Sequence, residues 1–388
     1  MGVFYQRRRI LKKTSGVSND GRWWLLYTVV FIATFISYVW NGFVFKYFIR
    51  EAGTFCFFIA LLQVISCEIN HNRKKSFRSL QVLILGILCL HLAGLLFLII
   101  GYFDYNIIID KLINKPLAAD YTVQTINKVA FFALAGNEEA YTILVLFMLS
   151  LTVLRRIVVT ILLVCGIVFF LFLGTRTAFF LYIFFLILWF LHLYPSPIIK
   201  WCILFTLILT CILFYDKFMN LMVSAFGFVQ SGSDLFDISK FMEGDTLGFR
   251  IIFLWLPILN HLSSGWAFFT GLSVNGLNAF RTDLWDDYSA LHNTFLYFWS
   301  ALGITGLLLY SYGFIYMVFT VRKKKIYQAI LKDRMLFYWF AVVAMLAYGL
   351  MNNAYSTQGM ITYILVIAFG MNGSFLQGKN EAKKTIGY

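Results

Sequence analysis

Charge is what this sequence has least of. Charged residues make up 13% of its 388 residues, while hydrophobic residues make up 61% and aromatic residues 19%. A soluble globular domain carries roughly 25% charged residues, so a water-soluble fold is excluded and a polytopic membrane protein remains. Proline is also scarce, at 4 in the whole chain, so the connections between apolar stretches should be short and tight. The six cysteines, Cys56, Cys67, Cys89, Cys165, Cys202 and Cys211, all lie within or at the end of apolar stretches and form no C-x-x-C pair. Cys67 stands one helical turn from His71, but a single such pair without further ligands does not make a metal site. No disulfide framework, metal or other cofactor is expected. The chain also lacks H-E-x-x-H, G-x-S-x-G and any Gly-rich nucleotide loop, so nothing points to nucleotide-driven chemistry. Any substrate should arrive already activated.

The charge that is present is unevenly placed. The formal net charge is +14, and the basic residues cluster beside apolar stretches at Arg7 to Arg9, Lys12-Lys13, Arg73 to Lys75, Arg155-Arg156, Arg322 to Lys325 and Lys383-Lys384. That is the pattern of the positive-inside rule, not of a nucleic-acid footprint. Hydropathy places spans near 23–41, 53–67, 80–102, 140–154, 157–173, 177–193, 201–215, 293–319, 335–351 and 355–372. With the N-terminus inside, the cytoplasmic segments hold 22 of the 32 Lys and Arg but 4 of the 18 acids. The basic N-terminus before Trp23 to Trp40 has a long apolar run and no small-residue cleavage site, so it reads as an uncleaved first span.

The expected fold is therefore an all-α polytopic membrane protein of about 10 (10–12) transmembrane helices. A basic cytoplasmic N-terminus (1–22) leads into helices 1–7 (23–215). A large external loop (216–292) caps the active site, helices 8–10 follow (293–372), and the cytoplasmic tail is 373–388. Residues 121–136 are compatible with one further short helix. No internal repeat and no pair of Gly/Pro-broken helices of the inverted-repeat transporter kind is present.

The long polar excursion 216–292 carries Glu243, Asp245, Arg250, Arg281, Asp283, Asp286, Asp287 and His292, and three short segments converge on the same expected face. Gly174-Thr175-Arg176-Thr177-Ala178 lies at the junction of two spans. Its arginine either snorkels to the interface or faces a wet cavity or an anion. Gly248-Phe249-Arg250 precedes an apolar run, Ile251 to Leu262, whose period fits an amphipathic helix, with Pro257 as a point of kinking. Arg250 would stand near that helix's N-terminus as an anion ligand, or as an ordinary surface arginine. Two such guanidinium forks would grip a diphosphate well. Leu291-His292-Asn293-Thr294 marks the return to the membrane. His292 alone of the five histidines stands between the charged loop and a helix, where an imidazole can take a hydroxyl proton near neutral pH. Capping is the competing role for His292, and Asn293 and Thr294 read equally well as helix-cap residues. His91 is the one clear ionisable group inside a span, and Asp286-Asp287 beside Trp285 reads as solvated loop.

Taken in order, these segments resemble the O-antigen polymerase and O-antigen ligase superfamily. The matching elements are Gly174-Thr175-Arg176-Thr177-Ala178, Gly248-Phe249-Arg250 with Trp255 downstream, and His292-Asn293-Thr294-Phe295-Leu296 followed by Leu302-Gly303-Ile304-Thr305-Gly306-Leu307, with Gly136 to Ala140 as a looser match. The resemblance covers roughly 136–320. It implies a metal-independent glycosyltransferase of the cytoplasmic (inner) membrane whose donor is an oligosaccharide repeat on undecaprenyl diphosphate. Arg176 and Arg250 would steady the departing diphosphate and His292 would orient or deprotonate the acceptor hydroxyl. Asn293 and Thr175 would be substrate-binding residues, and Arg281, which matches no motif of the family, is a weaker candidate from the loop. A chain-length regulator is the protein partner it implies, alongside membrane lipid and without nucleic acid. Ligases of this family often carry a second histidine two residues before the H-N pair; Ala290 stands there, which favours a polymerase of O-antigen or capsule over a ligase. The competing classes are a lipid-linked-oligosaccharide flippase or transporter, which would carry ionisable residues deep in several spans, and a non-catalytic scaffold of polysaccharide assembly.

Overall fold

The computed structural model describes residues 20–71, 73–99, 136–152, 154, 156–172, 176–193, 205, 250–263, 265–274, 276–277, 291–322, 332–352 and 354–372. Within them lie α1 (Asp20–Trp40), α2 (Phe45–His71), α3 (Arg73–Ile99), α4 (Gly136–Leu151), α5 (Arg156–Phe172) and α6 (Arg176–Leu193). A π-helix (Arg250–Trp255) runs into α7 (Leu256–Leu262), followed by α8 (Ala267–Thr270), α9 (Thr294–Arg322), α10 (Lys332–Met351) and α11 (Thr357–Asn372). The chain is a helical membrane protein. Among the described residues, five stretches are long and apolar enough to cross a bilayer unaided: Trp23–Trp40, Phe45–Ile69, Lys75–Ala93, Thr294–Val318 and Arg334–Met351. Shorter apolar helices occupy Ile157–Ile167, Thr177–Leu193 and Thr357–Asn372. The expected span at 201–215, apart from residue 205, and the further helix at 121–136 fall outside the described residues except for the last residue of the latter.

Two of the shortest helices sit at the centre. α4 packs against α3, α6, α10 and α11, and α11 packs against α2, α3, α4, α9 and α10. Their side chains are accordingly buried nearly all round, from Ala140 to Met148 and from Met360 to Phe369, as expected for helices enclosed by others. α1, α2, α3 and α5 instead expose large apolar side chains such as Phe31, Val64, Val82 and Ile161, which suits a lipid-facing ring.

Inside a bilayer there is little hydrophobic force between helices, so close packing and interhelical hydrogen bonds hold them together. Buried tyrosines supply both. The Tyr182 hydroxyl donates to the Leu163 carbonyl, Tyr363 to that of Tyr310 (2.5 Å) and Tyr338 to that of Val366 (3.4 Å). Each reaches across at a glycine (Gly166, Gly313 and Gly370) whose Cβ would overlap the hydroxyl. Among the described residues, Cys56, Cys67, Cys89 and Cys165 form no disulfide.

Short links make α1 and α2, α2 and α3, α4 and α5, α5 and α6, and α10 and α11 antiparallel neighbours, and the contacts of His91 with Glu139 and of Thr294 with Asn352 bring α3, α4, α9 and α10 into the same alignment. The C-terminal ends of α1, α3, α5 and α10 therefore share one end of the bundle with the N-terminal ends of α2, α4, α6, α9 and α11. The polar contacts described next gather at that end.

Candidate functional site

The turn between α10 and α11 organises the site. The Arg250 guanidinium, 8% exposed, donates from Nη1 to the Met351 carbonyl at 2.5 Å. One residue on, the Asn352 carbonyl accepts from the Thr294 hydroxyl at 3.0 Å. The Met351 carbonyl ends α10 and the Asn352 carbonyl follows it, where backbone acceptors have no partner within the helix. A third strut closes the frame, because Trp255 Nε1 donates to the Leu291 carbonyl at 2.8 Å. The π-helix is thus tied by its first residue to the end of α10 and by its last to Leu291, the residue before His292. A π turn of this kind widens the backbone and is often found at functional sites.

His292 itself is half-buried with φ of +49°. Among the described residues only Ser273 is also a non-glycine at positive φ. Such geometry costs a side-chain-bearing residue free energy and persists where its surroundings over-determine it. Asn293 follows as the cap of α9, its Oδ1 accepting from the Leu296 N–H at 3.1 Å. Of its two expected roles, capping is the one visible in the geometry.

The N-terminus of α6 reaches the same place. The fully buried Tyr141 phenol faces Thr177 and feels the Arg250 charge, and its ring stacks on Tyr348 of α10 at 5.2 Å. Arg176 precedes Thr177 as the first residue of α6. The structure thus brings Arg250, His292 and the backbone of Arg176 to one end of the bundle. The Arg176 side chain, Thr175 and Arg281 lie outside the described residues.

Two acidic groups at this end escaped the hydropathy reading. Glu139, in the first turn of α4, is fully buried between the His91 imidazole of α3 and Gln358 Nε2 of α11 (3.5 Å). His91 precedes the last residue of α3 by eight positions, so α3 runs about 12 Å beyond the level at which α4 and α11 begin. Glu138 beside it faces Tyr348. Among the described residues no group of three or more His, Cys, Asp or Glu converges as a metal site does.

Glu51 of α2 is the second. It is 7% exposed and sits near the Tyr38 hydroxyl, the Val274 backbone N–H and Tyr297, and Tyr297 in turn stacks on Tyr355 at 3.8 Å. Neither carboxylate oxygen receives a well-formed hydrogen bond from the described residues. A buried polar group in that condition costs about 1–3 kcal/mol. Glu51→Met, similar in volume, is therefore expected to raise the thermal unfolding midpoint of the protein in detergent. A lowered midpoint would mean that the carboxylate contributes stability after all.

No protein-family model, curated protein or solved structure matches this chain.

Proposed function

We propose that this protein is a polymerase of bacterial surface polysaccharide that joins oligosaccharide repeats carried on undecaprenyl diphosphate, on the outer face of the cytoplasmic membrane. One observation carries the reading: Arg250 bonds to the Met351 carbonyl, Thr294 bonds to the neighbouring Asn352 carbonyl two residues after His292 in its left-handed conformation, and Tyr141 near Arg250 faces Thr177, the residue after Arg176. The order and spacing of these segments, which resemble the O-antigen polymerase and ligase superfamily, supply the substrate class. In this reading the chain crosses the membrane about ten times, with both termini cytoplasmic and the Arg250 end outward, and segment 216–292 covers the site.

The reaction needs two things of the protein, cations for the leaving group and a base for the acceptor proton. An acceptor hydroxyl oxygen attacks the anomeric carbon of the donor sugar while the bond from that carbon to the diphosphate oxygen breaks. The electron pair leaves with the lipid diphosphate, and guanidinium groups aimed at the developing charge lower the barrier. The hydroxyl proton passes to His292, whose imidazole is matched to proton transfer near neutral pH. A metal-independent transferase relies on cationic side chains to balance the leaving group, a role this reading gives to Arg250 and Arg176.

The test is a gene deletion scored on a glycan gel, followed by complementation. Loss of the polymerase leaves single repeats on lipid A–core, whereas loss of a ligase strands polymer on the lipid carrier. Arg176→Ala and His292→Ala are each expected to lower polymer growth about 10²-fold or more while the protein still inserts. Arg176→Lys should also be impaired, because an ammonium cannot form the bidentate fork. A normal ladder from any of these variants removes that residue from the mechanism.

A second reading, a transporter of the same lipid-linked oligosaccharide, draws on the His91–Glu139 pair. Ionisable groups inside membrane helices often mark a translocation path. Under that reading the deletion leaves undecorated lipid A–core and repeats trapped on the cytoplasmic leaflet.

A further inference from the structure

We infer that the turn joining α7 to α8 is a membrane-interface anchor, with Trp266 and Phe269 seated beside Trp40 at the headgroup level of the bilayer. The partner is lipid, and the inference does not depend on the polymerase reading.

Three large rings are left open at this place: Trp266 is 64% exposed, Phe269 59% and Trp40 58%. They form one cluster, with ring centroids 5.9 Å apart for Trp40 and Trp266 and 6.3 Å for Trp266 and Phe269. Isolated exposed apolar residues are ordinary, but a contiguous aromatic patch marks an interaction surface.

Position supplies the occupant. Trp40 is the last residue of α1, whose exposed Phe31, Ile32, Phe35, Ile36 and Val39 form the lipid-facing side of a membrane span. The cluster continues that side where the span ends, which is where tryptophan concentrates in membrane proteins, its ring in the acyl boundary and its N–H toward the headgroups. The other exposed residues of the turn are polar or small: Asn260, His261, Ser263 and Gly265. Polar residues on one part of the turn and aromatics on the other suit an interfacial depth better than water or hydrocarbon.

The turn is not free to fold its rings away. Its opposite side is built into the bundle through Ile258, Leu262 and Leu272, which pack with Tyr297 and Trp299 of α9. Trp299 Nε1 donates to the Phe268 carbonyl at 3.2 Å, the Leu272 N–H to the Ser300 carbonyl at 2.6 Å, and Asn41 Nδ2 to the Gly271 carbonyl at 2.9 Å. An anchored turn fixes the height of the π-helix upstream, and with it Arg250, at the level where a lipid-linked diphosphate presents its headgroup.

The full-length protein, labelled with 5-fluorotryptophan and reconstituted in phosphatidylethanolamine/phosphatidylglycerol nanodiscs, tests this by ¹⁹F NMR. The resonance missing from a Trp266→Phe sample assigns the residue, and Trp266→Tyr serves as a second assignment should that variant fold poorly. Lipid carrying a nitroxide near the top of its acyl chain is expected to abolish the Trp266 signal, while a water-soluble gadolinium chelate leaves it. Loss to the chelate and not to the lipid would place the turn in water and overturn the inference. A signal that survives both reagents would also overturn it, because another protein surface would then be covering the patch.

Discussion

Arg250→Ala is expected to abolish polymer growth, with a loss of about 10²–10³-fold for one missing cationic donor at a developing anion. The substitution also leaves the Met351 carbonyl without its donor, at a cost of about 1–3 kcal/mol. Those two effects are separable. If Arg250 only caps α10, activity will track the amount of folded protein recovered from membranes, and Arg250→Gln, which can still donate to a carbonyl, will restore both together. If it steadies a diphosphate, Arg250→Gln will recover thermal stability without activity, and Arg250→Lys will recover a small part of the activity through charge alone. The measurement is transfer of radiolabelled lipid-linked repeats in membranes with matched protein levels, alongside thermal unfolding in detergent. Normal transfer by the alanine variant would remove Arg250, and with it the reading of this end of the bundle as a diphosphate site.

The membrane helices were legible wherever apolar runs were long. Where the structure departs from hydropathy it does so at charged residues. α2 begins at Phe45 and not near residue 53 because its first two turns carry Lys46, Arg50 and Glu51. α4 begins at Gly136 and not near 140 because Glu138 and Glu139 open it. A hydropathy window stops at such residues, yet the helices continue through them, with Glu51, Glu138 and Glu139 buried by neighbouring helices and Lys46 and Arg50 exposed. The same windows hid the acidic side chains of the site, since Glu51, Glu138 and Glu139 were assigned to connections. Charged residues just outside an apolar run were the signal that pointed to them.

The segment after Arg250 shows a different limit. Apolar periodicity over 251–262 predicts one helix that Pro257 could kink. The structure has one continuous helical segment here, but its first six residues, to Trp255, are π-helical before it runs into α7 with Pro257 in that helix's first turn, a change of winding that apolar periodicity does not reveal. The Met351-Asn352 turn had no sequence signature because it contributes backbone carbonyls, which every residue carries. Arg250 and His292 could be singled out by residue type, but the groups that hold them could not.

Gly303→Ala should be the most damaging single-atom-scale change to the fold. Gly303 interrupts α9 with φ of +64° and ψ of −162°, a region essentially reserved for glycine and costing any other residue about 1–3 kcal/mol. Gly271 has nearly the same backbone, φ of +70° and ψ of −164°, and faces it across the contact. A Cβ at Gly303 would overlap the Phe269 carbonyl oxygen, and one at Gly271 would lie 2.6 Å from both the Gly303 nitrogen and the Ser300 oxygen. Backbone meets backbone there, so neither side can yield by changing rotamer. Strain and overlap together should cost roughly 4 kcal/mol or more. That would lower the thermal midpoint in detergent sharply and reduce the inserted protein. Gly86→Ala in α3 is the control, since nothing lies within 4 Å of its added carbon and alanine is the better helix former. The kink at Gly303 lets the α8 turn settle against α9, and that turn leads into residues 271–274, of which Val274 lies beside Glu51. A Gly303→Ala protein with an unchanged midpoint would mean that α9 is straight and the turn above it is seated elsewhere, removing the support on which the interface anchor and the height of Arg250 both depend.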